Sequence, residues 1–403
     1  MNFIPYAKHN LDESDIEAVV STLRSEWITT GPKVPEFEER LKDGCGAKHV
    51  IALNSCTAAL HIAMLAAGIG PGDEVITTPM TFAATSNAAI YCGATPVFVD
   101  IERETHNINP SLIEEKITAK TKAIVPVHYG GHPCRMKEIY AIAEKHGLLV
   151  IEDAAHAFTA QYHNDELDMW HKIGDSTDKT SIATCFSFHP AKNFTSGEGG
   201  AIATNDDEFA IKCQLLRNHG ISRDAWKRFG EGGSWFYEMV GLGYKYNLMD
   251  MQAALGISQL KRFAAMQARR FEVVKMYKQG LRGMDEIILP YEKPYAKSAW
   301  HLYVINLNFE YLKTDSSSGI VAEMSGRNTA VEHLKSAHIG CNVHYIPVYR
   351  HPYYADRFKI DPAGYPVTED FYNSCITLPM HAGLTDEEVR YVINEVKAIF
   401  AKK

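Results

Sequence analysis

One loop of the sequence combines a single lysine with residues that break regular structure. The stretch FSFHPAKNFTSGEGG, residues 186–200, contains a His-Pro pair and ends in GEGG. Its proline and glycines argue against a regular helix or strand, and apolar runs flank it, so we expect a loop held inside the protein. A lysine in a dry pocket has a lowered pKa and can act as a nucleophilic amine. Lys192 is therefore a candidate nucleophile, with a solvated surface lysine as the alternative.

A predicted strand that leads into a helix offers an anion site. NSCTAALH, residues 54–61, crosses this junction. The backbone N–H groups of Thr57 and Ala58 would be unpaired at the helix start, where an anion binds readily. Plain capping of the helix by Ser55 or Thr57 is the alternative.

A second predicted strand, in LLVIEDAAH, ends at Glu152 and Asp153. A carboxylate at the end of a buried strand needs a cation or hydrogen-bond donors, unless it only caps a helix. A phosphate-binding helix start, a strand-end aspartate and a loop lysine together meet the needs of one cofactor, pyridoxal 5′-phosphate (PLP). Lys192 fits its aldehyde and Asp153 fits its ring nitrogen. Phe82, in TTPMTFAATS, fits a ring stacked on the pyridine, with ordinary core packing as the alternative.

The elements that must position these residues alternate along the chain. The runs HVIALNS, EVITTP, ATPVFVDI, KAIVPVHYGG and LLVIEDAAH predict strands, and AALHIAMLAAG, SNAAIYCG, SLIEEKITAK and MKEIYAIAEKHG predict helices. This alternation predicts an α/β fold with a mostly parallel sheet between helices, whose ligands bind beyond the carboxyl ends of the strands. A long helix from Met249 to about Arg282 follows. We expect a large domain over residues 1–260 and a smaller C-terminal α+β domain over 261–403.

Composition excludes several classes of partner. The 403 residues carry a net charge of −8, which argues against nucleic acid or an anionic membrane as the main partner. The eight cysteines are scattered without CxxC spacing, so we expect no zinc site. We recognise no signal peptide and no apolar run near the length of a membrane helix. We therefore expect a cytoplasmic protein with reduced thiols and no metal.

Ordered motifs over nearly the whole chain resemble the DegT-type (DegT/DnrJ/StrS) nucleotide-sugar aminotransferases. That family has the fold type I PLP-dependent transferase architecture, which implies a seven-stranded-type sheet. The matching motifs, in family order, are EWITTGPKVPEFEERL (26–41), NSCTAALH, TTPMTFAATSNA, IEDAAHA, FSFHPAKNFTSGEGG, RNHG, LGYKYNLMDMQAALG, VHYIPVYRHPYY and LPMHAGLTDEEV. The lysine loop together with the IEDAAH strand end is the most specific part of this set.

The resemblance implies a role for each matching cofactor position. Lys192 would form the Schiff base and Asp153 would pair with the pyridine nitrogen, as the two catalytic residues. The other implied contacts are Phe82 on the ring face, His156 at the ring oxygen, Thr57, Ala58 and Ser187 at the phosphate, and Asn247 reaching the neighbouring subunit's cofactor. Many members have GYNYR where this chain has GYKYN, so the contact across the interface is Lys245 or Asn247. Residues 164–181 form a segment that is shorter in most members, and its role is open.

The resemblance also implies the reaction and its substrates. An aminotransferase of this type moves the amino group of L-glutamate to a nucleotide-linked 4-keto sugar, a UDP-4-keto-6-deoxy hexose or a 4-keto pentose, for cell-surface polysaccharide or glycan biosynthesis. The motifs resemble both the UDP-4-amino-4-deoxy-L-arabinose and the pseudaminic-acid pathway transaminases. Candidate substrate residues, each with core packing as the alternative, are Trp27, Thr30, Trp300, His301, Tyr345, Tyr349 and Tyr353.

Three rival functions share the same fold. A dehydratase of this family would carry histidine at the lysine position, so Lys192 favours transamination over dehydration. A 3-keto-sugar aminotransferase and a PLP-binding regulator without turnover are also compatible with the motifs. Because the family shares active sites across a subunit interface, we expect an obligate homodimer.

Overall fold

A seven-stranded sheet forms the centre of the molecule. The computed structural model describes residues 2–165, 168–175, 180–222, 237–314 and 319–401. The strands of the central sheet are β1 (His49–Leu53), β2 (Glu74–Thr77), β3 (Thr95–Phe98), β4 (Thr121–Val125), β5 (Leu149–Asp153), β8 (Ser181–Ser187) and β9 (Gly200–Thr204). Their order is β1-β9-β8-β5-β4-β2-β3. β3, β2, β4, β5 and β8 run parallel, and β9 pairs antiparallel with β8 and β1. The predicted mostly parallel sheet is confirmed.

Helices cover both faces of this sheet, because its strands are apolar on both sides. Up to residue 217 the helices are α1 (Glu13–Leu23), α2 (Lys33–Cys45), α3 (Cys56–Ala66), α4 (Ala84–Tyr91), α5 (Met136–His146) and α6 (Asp207–Arg217). One face packs against α2 and α5 and the other against α3, α4 and α6. The carboxyl ends of β2, β4, β5 and β8 therefore meet at one edge, beside the start of α3.

A long helix, α7 (Asp250–Gly280), leads from this part of the chain to a second apolar cluster. The remaining helices are α8 (Phe309–Thr314), α9 (Met324–Ser336), α10 (Pro352–Phe358), α11 (Pro366–Ser374) and α12 (Asp386–Ile399). They accompany an antiparallel sheet of β10 (Ile287–Ile288), β12 (Tyr303–Leu307) and β13 (Cys375–Leu378). Ile4 lies in the same cluster and pairs with Ile339. The division at residue 260 falls inside α7 and stays a prediction.

One predicted helix takes a different form in the structure. SLIEEKITAK folds as two short 3₁₀ turns, Pro110–Leu112 and Glu114–Lys116. The side chains of Thr121 and Thr118 accept hydrogen bonds from the amides of Thr118 and Lys120. Such local bonds from side chain to backbone compete with a helix.

The unusual segment 164–181 contributes to a small separate sheet. The strand β6 (Gln161–Asn164) lies at its centre and pairs antiparallel with β7 (Met169–Lys172) on one side and with β11 (Ala296–Lys297) on the other. Residues 166–167 and 176–179 of that segment lie outside the described residues. Within the described ranges, each helix is too short or too polar to cross a membrane.

Candidate active site

The carboxyl ends of the parallel strands open into a cavity of about 410 Å³. Most of the residues predicted to be catalytic or to bind the cofactor or the substrate lie in the wall of this cavity: Thr57, Phe82, Asp153, His156, Ser187, Lys192, His301 and Tyr345. They come from strand ends, helix starts and loops that are far apart in sequence. The topology of the sheet therefore brings together the groups that the sequence motifs single out.

The lysine loop is fixed by its own backbone. The amide of Phe188 donates to Gly199 at 2.9 Å, and the Ser196 amide donates to Phe188 at 3.1 Å. Phe188 and Phe194 are buried in the core, so the loop is anchored on both sides of Lys192. Burial lowers the pKa of the Lys192 amine from 10.5 to about 8, although nearby Cys56 and Asp153 favour its charged form. The predicted nucleophile thus has a substantial neutral fraction near physiological pH.

Asp153 and its neighbour Glu152 face opposite sides of β5, as successive strand residues do. Asp153 lines the cavity, where its carboxylate accepts from Thr85 Oγ1 at 2.7 Å and from the Ala155 amide at 3.1 Å. These two donors hold the carboxylate still. A cation or N–H in the cavity can therefore pair with a carboxylate of fixed position.

Glu152 is buried beneath the sheet and belongs to a closed polar cluster. It accepts from His128 Nε2 at 2.9 Å, Tyr140 at 3.0 Å, Ser181 at 2.7 Å and Thr184 at 3.3 Å. Because its carboxylate already has these partners, Glu152 has a structural role. Of the two strand-end carboxylates, Asp153 alone lines the cavity.

The start of α3 separates the two interpretations of NSCTAALH. The side chain of Ser55 caps the helix by accepting from the Ala58 amide at 3.1 Å. The capping alternative is therefore present in the structure, and the role of the Ala58 amide at a phosphate stays a prediction. Thr57 lines the cavity, and its amide is among the first of the helix, which have no partner inside it. Gly200 allows the close approach of β9, since a Cβ there would lie 2.4 Å from Cys56 N.

Aromatic residues form the opposite wall. Phe82 is 64% exposed, which excludes the core alternative, and its ring lies 6.2 Å from that of Tyr345. His156 and His301 stand side by side, with ring centroids 4.4 Å apart. Phe82, Asp153 and Lys192 line the same cavity, so an aromatic face, a fixed carboxylate and an amine are available to one ligand. The residues present therefore fit PLP.

A comparison of the whole chain decides the family. Residues 9–397 match the model of the DegT/DnrJ/EryC1/StrS aminotransferase family. The chain belongs to this family. It is 43% identical to the spore coat polysaccharide biosynthesis protein SpsC of Bacillus subtilis over 99% of this chain and 97% of SpsC. These matches confirm the predicted family, enzyme class and function as a sugar aminotransferase.

Solved structures of other family members confirm the fold and the cofactor. The PLP form of the putative sugar aminotransferase Spr1654 of Streptococcus pneumoniae has a TM-score of 0.87 at 33% identity, covering 98% of each chain. PseC of Helicobacter pylori, an aminotransferase of pseudaminic acid biosynthesis, has a TM-score of 0.87 at 30% identity, covering 99% of each chain. The fold type I architecture and PLP, both expected from the sequence, agree with these structures.

Two substrate residues predicted from the family motifs lie elsewhere in the structure. Trp300 is buried in the C-terminal cluster, against Tyr303 and beneath Lys278. Tyr349 is buried as well, and its hydroxyl donates to Glu369 at 2.7 Å. Large aromatic side chains gain most from burial, and here packing takes precedence over the cavity. We therefore withdraw both as substrate residues.

Three further predicted residues form a group outside the cavity wall. Asn247 Nδ2 donates to Thr30 Oγ1 at 2.7 Å, and Trp27 lies next to Gly31 in the same stretch. Asp250 fixes this stretch by accepting from the amide of Gly31 at 2.9 Å. Trp27, Thr30 and Asn247 are not among the described residues that line the cavity of their own chain. Their predicted roles stay predictions that depend on a second subunit.

The structure also adds residues that sequence reasoning missed. The cavity wall contains Tyr6, Asn342, His344 and Thr377, and Thr85 holds Asp153. Thr85 had a usable signal, because a buried strand-end carboxylate needs a donor and TTPMTFAATS offers several threonines. His344 also had a signal, because it precedes Tyr345 in the motif VHYIPVYRHPYY. Tyr6, Asn342 and Thr377 had none, since they reach the site only through pairing of distant segments, such as the bond from the Met380 amide to Tyr6.

Proposed function

We propose that this aminotransferase transfers the amino group of L-glutamate to a nucleotide-linked 4-keto sugar, a UDP-4-keto-6-deoxy hexose or 4-keto pentose, for cell-surface glycan synthesis. The observation that carries the proposal is one cavity holding the Lys192 amine, with its pKa lowered to about 8, and the fixed carboxylate of Asp153. The names of SpsC and PseC, which place those proteins in glycan biosynthesis, support it.

Each side chain has a defined task in such a reaction. PLP, when bound, supplies an aldehyde and an electron-accepting ring. Lys192 Nζ is the base that takes the proton from the α-carbon of the donor and later delivers a proton to the sugar carbon. The Asp153 carboxylate would hold the proton on the ring nitrogen, and Phe82 would limit the space beside the ring. Thr57 and Ser187, which line the cavity, would hold the phosphate.

A long substrate fits the shape of the site. A groove of about 430 Å³ adjoins the cavity, and both share Thr81, Phe82, Val343 and Tyr345. The groove continues past Ile346, His351 and Tyr353. Ile346 offers an apolar surface, and the rings of His351 and Tyr353 offer flat faces with polar edges suited to a sugar or a base. We assign the sugar to the cavity and the nucleotide to the groove.

A panel of keto-sugar nucleotides tests the reaction. The enzyme is incubated with glutamate and UDP- or dTDP-linked 4-keto and 3-keto sugars, and 2-oxoglutarate and the aminated sugar are measured. We expect glutamate-dependent product with a UDP-4-keto sugar. Lys192→Ala should lower turnover by about 10³-fold or more, while exposed Lys275→Ala leaves it unchanged. Full turnover in Lys192→Ala, or sugar deoxygenation without 2-oxoglutarate, contradicts the proposal.

We also propose that the active sites are shared in a homodimer. The segment 237–249 exposes Met239, Val240 and Leu242, the last by 78%, and such apolar surface is typical of an interface. Asn247 lies in the same segment, outside the cavity of its own chain.

The cytoplasmic location expected from the sequence stays a prediction.

Subunit mixing tests the shared site. If each site takes Lys192 from one chain and Asn247 from the other, a mixed dimer of Lys192→Ala and Asn247→Ala chains carries both lesions in one site and leaves the other site intact. Mixing the two variants in equal amounts should restore about a quarter of normal activity by random pairing. A mixture no more active than Asn247→Ala alone, or a fully active monomer in sedimentation, refutes the shared site. Replacing Lys245 in the same way tests the alternative contact.

A further inference from the structure

Two histidines in the cavity wall are held neutral. His156 and His301 have ring centroids 4.4 Å apart. Burial lowers the pKa of both rings well below 6.5, and the nearby Lys192 amine lowers both further. A neutral imidazole has one N–H donor and one acceptor nitrogen, so the partners of each ring decide what it offers to a substrate.

The backbone fixes the proton position of His156. The Gly130 amide donates to His156 Nδ1 at 3.2 Å, and an amide N–H cannot accept. Nδ1 is therefore the acceptor, and the proton lies on Nε2. Nε2 is 3.0 Å from the hydroxyl oxygen of Tyr345, so it donates to that oxygen. The hydroxyl hydrogen of Tyr345 is then left to donate to a ligand.

A side-chain amide fixes His301 in the opposite sense. Asn193 Nδ2 donates to the carbonyl of Ala299 at 2.8 Å and to Gln267 Oε1 at 3.0 Å, which sets the orientation of its amide. His301 Nδ1 lies 3.2 Å from the Asn193 oxygen, which only accepts. The proton of His301 is therefore on Nδ1, and Nε2 offers a lone pair. His301 and Tyr345 both line the cavity.

We propose that this donor and acceptor pair selects a ketone that carries a hydroxyl group on the neighbouring carbon. The Tyr345 hydroxyl donates to the ketone oxygen, and His301 Nε2 accepts from the hydroxyl. This inference rests on the proposed function and narrows its substrate class. A ketone without the hydroxyl would leave that buried nitrogen unpaired, which costs binding.

The proton positions can be measured without any substrate. The holoenzyme is labelled with ¹⁵N-histidine, and its long-range ¹H–¹⁵N spectrum distinguishes the two neutral tautomers. His156→Gln and His301→Gln spectra assign the signals. We expect the Nε2–H form for His156 and the Nδ1–H form for His301. Either ring in the other tautomer, or charged near neutral pH, overturns the proposal.

Three substrates then test the selectivity of the wild-type enzyme. They are UDP-4-keto sugars with a hydroxyl, a hydrogen or a methoxy group on the carbon next to the ketone. The methoxy group accepts but cannot donate, so we expect kcat/KM to fall about 100-fold for both altered sugars. Equal reaction of all three overturns the recognition. If no keto sugar reacts, the proposed function fails. The tautomer spectra still show which nitrogen of His156 and of His301 carries the proton, and so test this inference separately.

Variants locate the effect on the named side chains. His301→Leu should remove most of the preference for the hydroxyl group, because no lone pair remains to be satisfied. Tyr345→Phe removes only the hydroxyl group and should lower kcat/KM for all three sugars by a similar factor. The PLP absorption spectrum and the melting temperature confirm that each variant is folded and loaded. An unchanged preference in His301→Leu overturns the assignment.

Discussion

The lowered pKa of Lys192 has a direct chemical consequence in the enzyme freed of PLP. Its pKa of about 8 compares with 10.5 for an ordinary lysine. At pH 8 about half of the Lys192 amine is neutral, against about 0.3% of an ordinary lysine amine, a difference of more than 100-fold. Because burial is the main cause, the neutral fraction should rise with pH around 8 and not around 10.5.

The pKa of Lys192 can be measured by reductive methylation with ¹³C-formaldehyde. The apo-enzyme is methylated, and the ¹³C shift of each lysine is followed from pH 6 to 11. Lys192→Arg identifies the signal of Lys192 by its loss. We expect that signal to titrate near 8 while exposed lysines titrate near their ordinary value.

Removal of the neighbouring carboxylate tests the cause of the shift. The negative charge of Asp153 favours the ammonium form of Lys192, so Asp153→Asn should move the pKa of Lys192 lower. A pKa of 10 or above for Lys192, or a higher pKa of Lys192 in Asp153→Asn, refutes the argument that burial lowers the pKa of this lysine.

Three further substitutions test the scaffold. Glu152→Ala should lower the free energy of unfolding by about 3 kcal/mol, because it leaves buried donors unpaired. Denaturant unfolding measures this loss, with exposed Glu17→Ala as the control. If the two substitutions lower the free energy of unfolding by equally small amounts, Glu152 has no structural role. Gly200→Ala should weaken PLP binding about tenfold in a fluorescence titration, since its methyl group displaces the start of α3. Gly70→Ala places its methyl group in open space and should leave the affinity for PLP unchanged. Equal PLP affinities of the two variants would contradict a phosphate site at the start of α3. Tyr349→Phe should leave kcat/KM unchanged, and a large loss would return that residue to the site.

The sequence by itself determined the chemistry of the site. Lys192, Asp153 and the start of α3 each belong to a short motif at a strand end, and a parallel sheet brings such ends to one edge. The strand runs and most helices were also predicted, because their apolar patterns are local. The helix predicted for SLIEEKITAK was wrong because side-chain bonds of two threonines outweigh a weak helical pattern.

Only the tertiary structure decided which side chains complete the cavity. Trp300 and His301 are neighbours in sequence, yet one lies in the core and the other in the wall. Likewise, the amide of Gly130 and the side chain of Asn193 set the protons of two histidines at other points of the chain. The physical reason is that a polar group's role depends on the partner within hydrogen-bond reach. That partner is supplied by segments whose packing no local pattern encodes.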